Sequence, residues 1–194
     1  MSLTTRDKIL SAIGQGKPAL KPLPSLNDWN AVQYDDKIEK FIESFSGIGG
    51  QVILVNDKTG IKTFIAENFS LTKIITTIKA LDSIQQLDSS IPAHELEDIE
   101  LAVLPAAFGV AENGAVWLTE NEIQARVLPF ICQQLAVVLN KQDIVNNMQE
   151  AYERIGDATY NFAAFIAGPS KTADIEQSLV LGAHGPKGMI IFLM

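Results

Sequence analysis

The sequence predicts an α/β fold: a mainly parallel sheet covered by helices on both faces, preceded by an N-terminal helix and a proline-rich arm. Three observations lead there. Short, wholly apolar runs such as "LAVVL" (135–139) and "MIIFLM" (189–194) recur between segments of helical period. Strands that are apolar on both faces belong to parallel sheets with helices packed on either side. The chain has 194 residues, 47 % apolar and 20 % charged, enough to bury a core without disulfides or metals.

The elements follow in order. Residues 3–14 read as a short amphipathic helix. Thr4 and Asp7 have capping-box spacing, and Leu3, Ile9, Leu10 and Ile13 share one face. "GQGKPALKPLPSLNDWN" has Pro18, Pro22 and Pro24 close together and no hydrophobic period, so it reads as an extended linker. It is either a surface arm or an arm that packs on another subunit as a homo-oligomer contact. From residue 34 the alternation begins. "YDDKIEKFIESF" is helical, with Ile38, Phe41, Ile42 and Phe45 on one side, and "GGQVILVN" is a buried strand. "TGIKTFIAENF" is a second helix, "KIITTI" a β-branched strand and "IELAVLP" another, with "GAVWLTE" pairing beside it. "LAVVL" is a strand, and "QDIVNNMQEAYERIG" is a helix stopped at Gly156. "NFAAFIA" and "GMIIFLM" are the last two strands, the final one central or nearly so. Residues 1–33 thus form a helix and arm, and residues 34–194 one α/β domain.

Composition narrows the function. The net charge of -8 argues against a nucleic-acid partner. Residues 1–28 nevertheless hold four basic and two acidic side chains, so the acidity lies in the rest of the chain. No apolar run approaches the ~18 residues of a membrane span, and "MSLTTRDKIL" has no signal-peptide core. The expectation is a cytoplasmic protein. One cysteine, Cys132, and two histidines leave no donor set for a structural zinc or for an iron–sulfur cluster of its own.

Ligands of open α/β sheets sit outside the carboxyl ends of the strands. Two stretches are expected there: "GVAENGAVWL" after "LAVLPAAF", and "AGPSKTADIE" after "NFAAFI". In the second, Gly168 and Pro169 turn the chain, Ser170 caps a helix, and Lys171 and Thr172 sit in its first turn. That is an anion site, or a plain capped helix start with Asp174 and Glu176 answering the dipole. In the first, Asn113-Gly114 is a hairpin signal. Glu112 just before it is a nucleophile or base, or else a cap or a partner of Lys171. In "LGAHGPKG", His184 beside Gly185 is a proton donor or polar contact, or an ordinary loop histidine. Cys132 reads as a buried small hydrophobe.

Taken together these motifs carry a resemblance. "GPSKTADIEQSLVLGAHGP" is similar to the signature of the lactate utilization protein C family (LutC/YkgG, the LUD domain). "FGVAENGAVWL" and "LPFICQQLAVVL" resemble its earlier segments. The family often carries a threonine-glycine-threonine/serine run where this chain has Asn113-Gly114-Ala115. The resemblance implies a fold like the NagB/RpiA/CoA-transferase group, which includes formyltetrahydrofolate cyclo-ligases. It implies a component of L-lactate oxidation to pyruvate that binds no cofactor itself, beside partner proteins that hold iron–sulfur clusters. It also suggests an alternative. "AENG" looks like the Ser-Glu-Asn-Gly motif of some CoA transferases, with Glu112 as the acyl-accepting carboxylate and His184 facing the same cleft. In that reading Asn113, Gly114, Gly168, Pro169, Ser170, Lys171, Thr172, Asp174 and Gly185 line a pocket for a small anionic ligand. A third reading is the same pocket in a binding module without turnover.

Overall fold

The computed structural model describes residues 4–19, 21–22, 31–69, 73–88, 90–173 and 179–194. The chain divides into two units at Asn30/Ala31. The first contains helix α1 (Thr5–Gly16). Its capping box is present: the Thr4 hydroxyl accepts from the Asp7 N–H at 3.2 Å, and the Asp7 carboxylate accepts from the Thr4 N–H at 3.1 Å. Ile9, Leu10 and Ile13 of α1 are exposed.

The second unit is built on six parallel strands: β1 (Gln51–Leu54), β2 (Ile74–Thr76), β3 (Gln85–Gln86), β4 (Leu101–Pro105), β7 (Gln134–Leu139) and β12 (Gly188–Leu193). Their order is β1-β12-β7-β4-β2-β3. Successive side chains of a strand point to opposite faces, and in the central strands β4, β7 and β12 both faces are buried. Ala102, Leu104, Leu135, Val137, Met189 and Ile191 enter one core. Leu101, Val103, Ala136, Val138, Ile190 and Phe192 enter another. This is why the strands read as unbroken apolar runs. Each fully buried Leu, Ile or Phe is worth about 1.5–3 kcal/mol.

Helix α3 (Lys58–Asn68) covers the second face with Ile61 and Ile65. The other face is covered by α2 (Lys37–Gly47), through Phe41 and Phe45, by the short helices α4 (Glu120–Ile123) and α5 (Leu128–Ile131), and by a second sheet. That second sheet is a correction to the picture of helices on both faces. It is four-stranded and mixed, in the order β8-β5-β6-β9: β8 (Ile144–Val145), β5 (Phe108–Val110), β6 (Val116–Thr119) and β9 (Ala163–Ile166).

Further corrections follow from it. β6 pairs with β5 and β9 rather than beside β4. The segment 142–156 is not one helix. Ile144 and Val145 pair with Gly109 and Val110, and α6 spans only Met148–Ile155, capped by Asn147. Gly156 does end it, at φ +53 with its N–H on the Tyr152 carbonyl. β1 is an edge strand, with Leu54 61 % exposed. β12 lies between β1 and β7 and is buried from Met189 to Leu193. Lys171–Ala173, expected as a helix start, form strand β10, antiparallel to β11 (Leu179–Leu181).

Candidate functional site

The turn that ends α2 organises the site. After Gly47 the Ile48, Gly49 and Gly50 N–H groups donate back to the Ser44, Ser46 and Phe45 carbonyls. Gly49 takes φ +89, a left-handed conformation that glycine adopts without strain. Two glycine turns from distant parts of the chain pack on this one.

The first is the β5–β6 hairpin. Asn113 Oδ1 accepts from the Ala115 N–H at 3.0 Å, and the Gly114 N–H donates to the Val110 carbonyl at 2.9 Å. Gly114 has φ +70, and a Cβ there would lie 2.8 Å from the Phe45 backbone. The second is the turn after β9. Gly168 has φ +74, and a Cβ on it would meet Ile48 at 3.0 Å. The Pro169 ring and the Lys171 ammonium then lie against Gly49. β6 and β9 are in antiparallel register, Val116 opposite Ile166. Asn113–Gly114 and Gly168–Lys171 therefore emerge at the same end of the small sheet.

The "LGAHGPKG" loop joins from the other side. The Ser170 N–H donates to the Pro186 carbonyl at 2.9 Å, and the Gly182 N–H donates to the Ser170 carbonyl at 3.0 Å. Gly185 faces Ser170 so closely that a Cβ would sit 3.2 Å from the serine Cβ. The Lys187 N–H donates to the Gln133 carbonyl at 2.8 Å. His184 is exposed and lines a 290 Å³ cleft with Phe130–Gln133, Gly182, Ala183, Gly185 and Lys187. Cys132, beneath it, is 2 % exposed, and burial pushes its thiol up to about 12.

This placement corrects the expected end of the sheet. The signature loop leads into β12 and the α2 turn leads into β1, so the cluster lies at the amino ends of the parallel strands. The strand before the signature, β9, belongs to the small antiparallel-paired sheet, and the carboxyl-end rule holds for parallel strands. With Lys171–Ala173 in strand conformation, no helix N-terminus faces an anion at those residues. Thr172 pairs in register with Val180. Asp174 lies outside the described residues.

Glu112 goes elsewhere. Its side chain is exposed, and Oε2 accepts from the N–H of Met148, the first residue of α6, at 2.9 Å. Its main-chain N–H donates to the Asn146 carbonyl at 2.9 Å. The carboxylate therefore answers the free N–H groups and positive dipole end of α6. The ion pairs among the described residues include neither Glu112 nor Lys171.

Sequence reasoning missed a neighbouring cleft of 380 Å³ at the same amino ends. Gln51, Asn68, Gln134, Phe64 and Phe69 line it, with Gly49 and Gly188. Gln134 lies across Gly188, where a Cβ would fall 2.1 Å from Oε1. The available signal was the pair Gln133-Gln134 opening an otherwise apolar strand. Among the described residues, no group of three or more His, Cys, Asp or Glu is placed to hold a metal ion. No described helix is long and apolar enough to cross a membrane.

The LUD domain family model matches residues 89–194, which contain both the hairpin and the signature loops. The chain belongs to the LUD domain family. Lactate utilization protein C of Anoxybacillus flavithermus is 27 % identical over 161 residues, covering 81 % of this chain and 68 % of that protein. The proteins of the same name from Bacillus pumilus and Geobacillus thermodenitrificans are 31 % and 33 % identical, over 50 % and 51 % of this chain. The chain spans less than half of their lengths, 43 % and 45 %. Among solved structures, a DUF162 family protein from Deinococcus radiodurans matches with a TM-score of 0.65 at 15 % identity, over 84 % of this chain and 99 % of that one. That match shares the mixed α/β architecture. The family resemblance read from the signature is thus shown, and the LUD domain's signature segments meet around the α2 turn.

Proposed function

We propose that this LUD protein is a component of L-lactate utilisation, acting in the oxidation of L-lactate to pyruvate as a subunit without a cluster, beside iron–sulfur partner proteins. The observation that carries the reading is the similarity to lactate utilization protein C over 81 % of the chain. The oxidation releases two electrons and two protons per lactate. Clusters are held by cysteine thiolates. This chain has one cysteine, and burial keeps that thiol protonated. Its residues do not fit a cluster, so the electrons are assigned to partners. In this reading Lys171, Lys187 and His184 present cationic or polar side chains toward the substrate's carboxylate or a partner's acidic surface.

The test is purification of the tagged full-length protein from its own cells grown on L-lactate. A brown eluate absorbing near ~400 nm, with cysteine-rich partners, is expected, together with loss of growth on L-lactate in a deletion strain. A colourless, partnerless protein from cells that express such partners sinks the reading.

A second reading, a small-molecule binding module, is favoured by the two clefts that flank the signature loops. It expects L-lactate, pyruvate, phosphate or a CoA ester to raise the melting temperature of the protein alone, and Lys171→Gln to weaken that shift. Glu112→Gln separates both from acyl transfer through Glu112: an anhydride mechanism loses all activity, and a capping carboxylate costs only slight stability.

A further inference from the structure

The small sheet ends on β9, which pairs on one side only, with β6. The direction of its backbone groups follows from the ladder. The Glu120 N–H donates to the Phe162 carbonyl at 2.9 Å. Hydrogen-bonded pairs alternate along an antiparallel ladder, so Ala164 and Ile166 also turn their N–H and C=O toward β6. Ala163 and Phe165 therefore turn theirs outward. Neither finds a main-chain or side-chain partner among the described residues. Natural edges are blunted by lysine, proline, inward charge or a bulge. Residues 161–167, "NFAAFIA", contain no charge and no proline, and β9 keeps an unbroken register with β6.

The strand is complementary to its own inverted copy. If two β9 strands run antiparallel with Ala164 opposite Ala164, then Ala163 faces Phe165 of the other copy and Phe162 faces Ile166. The outward groups of Ala163 and Phe165 form the hydrogen-bonded pairs, about four bonds in all. The non-hydrogen-bonded pair, where Cα atoms approach to about 4.5 Å, falls on two alanine methyls. Phe165 lies opposite Ala163, so there large meets small, while Phe162 meets Ile166 of the other copy. Phe165 already packs within an aromatic cluster, tilted 4.4 Å from Trp117 and edge-on 6.1 Å from Tyr152 between ring centroids. The chain carries a net charge of -8, and this edge has no charged residue of its own to repel a second copy.

We propose that β9 is a self-pairing edge: two copies of this chain join β9 to β9 into one continuous sheet of eight strands, with the two-fold axis at Ala164. Strand addition alone buries less than a standard interface, so the dimer is weak and is sought at about 1–100 μM chain.

Sedimentation of the full chain across that range is expected to show a reversible monomer–dimer equilibrium. Ala163→Lys, an edge-blunting charge, is expected to shift dissociation at least tenfold upward while the circular dichroism of the monomer is retained. Ala164→Cys is expected to form an intermolecular disulfide with copper–phenanthroline as oxidant, since a Cα separation of about 4.5 Å suits one. Buried Cys132 leaves little background. A chain that stays monomeric throughout, a dimer that Ala163→Lys leaves intact, or an edge filled only when an iron–sulfur partner is added would overturn the proposal.

Discussion

The six-stranded and the four-stranded sheets are made from equally apolar sequence, but water meets them differently. In the large sheet β7 and β12 have neighbours on both sides and cover on both faces; Leu135, Val137, Ile191 and Phe192 are 0 % exposed. In the small sheet β9 is half-buried at every residue and β8 is two residues long. The large sheet is held by its own interior. The small one is held by what it leans on: α2 beneath, through Gly109 and Gly114, and α6 above, through Ala151. Apolar runs alone do not tell these situations apart, because each needs a buried side chain and only one needs a buried strand.

The sharpest way to break this contrast is to remove Met189–Met194. Deleting a strand flanked by β1 and β7 is expected to abolish cooperative thermal unfolding, whereas a peripheral strand would leave a melting transition. Next comes Gly114→Ala. A side chain at φ +70 and against the Phe45 backbone is expected to cost about 2–3 kcal/mol in urea denaturation, because the hairpin must leave α2. An unchanged midpoint would mean that the small sheet does not depend on that contact. Asn147→Ala is smaller. Asn147 is 1 % exposed, accepts from the Glu150 N–H and donates to the Val32 carbonyl. Losing the cap is expected to cost about 1–2 kcal/mol.

The smallest effect is acid-dependent. Burial draws the Asp143 carboxyl upward, but the Arg154 guanidinium and the Asn140 amide outweigh it and hold it below its ordinary value. A depressed carboxyl contributes stability above its unfolded value, lost as pH falls through the folded one. The gap between wild type and Asp143→Asn in urea midpoint should therefore be present at neutral pH and close below about pH 4. A gap of constant size would assign it to packing instead.

These contrasts also explain which features could be read in advance. The strands β2, β4, β7 and β12 are legible because both of their faces are dry, so their composition carries no alternation to misread, whereas exposed β3 (Gln85–Gln86) carries no apolar signal. Helix α2 is legible from Ile38, Phe41, Ile42 and Phe45 on one side and the end of α6 from Gly156, whereas the caps Asp36, Asp57 and Asn147 emerge from the structure. The differences cluster in the small sheet and in the two-stranded β10–β11 ladder. Ile144-Val145 sit just ahead of a true cap, so a two-residue strand was absorbed into the helix. Lys171–Ala173 follow a glycine-proline turn that suits a helix start as well as a strand; pairing with Leu179–Leu181 decides, and that is a contact at a distance. At the site, the turns at Gly114 and Gly168 and the Lys171 side chain all pack on the α2 end, a proximity that local turn chemistry does not itself reveal. For Glu112 the sequence leaves a base, a cap and a partner of Lys171 all open, and nothing local shows that α6 begins 2.9 Å from its carboxylate.

The position of β12 bears on how the molecule is made. Synthesis proceeds from β1 through β7 to β12, yet β12 is the strand that separates the first two. Until it emerges, β1 has no main-chain neighbour and β7 has only β4. The nascent chain must therefore carry two open, apolar strand edges while more than fifty further residues after β7 begins are translated. Such edges recruit other chains unless they are shielded. Yield in cells should accordingly depend on chaperone capacity and translation rate more than the stability of the finished protein would suggest.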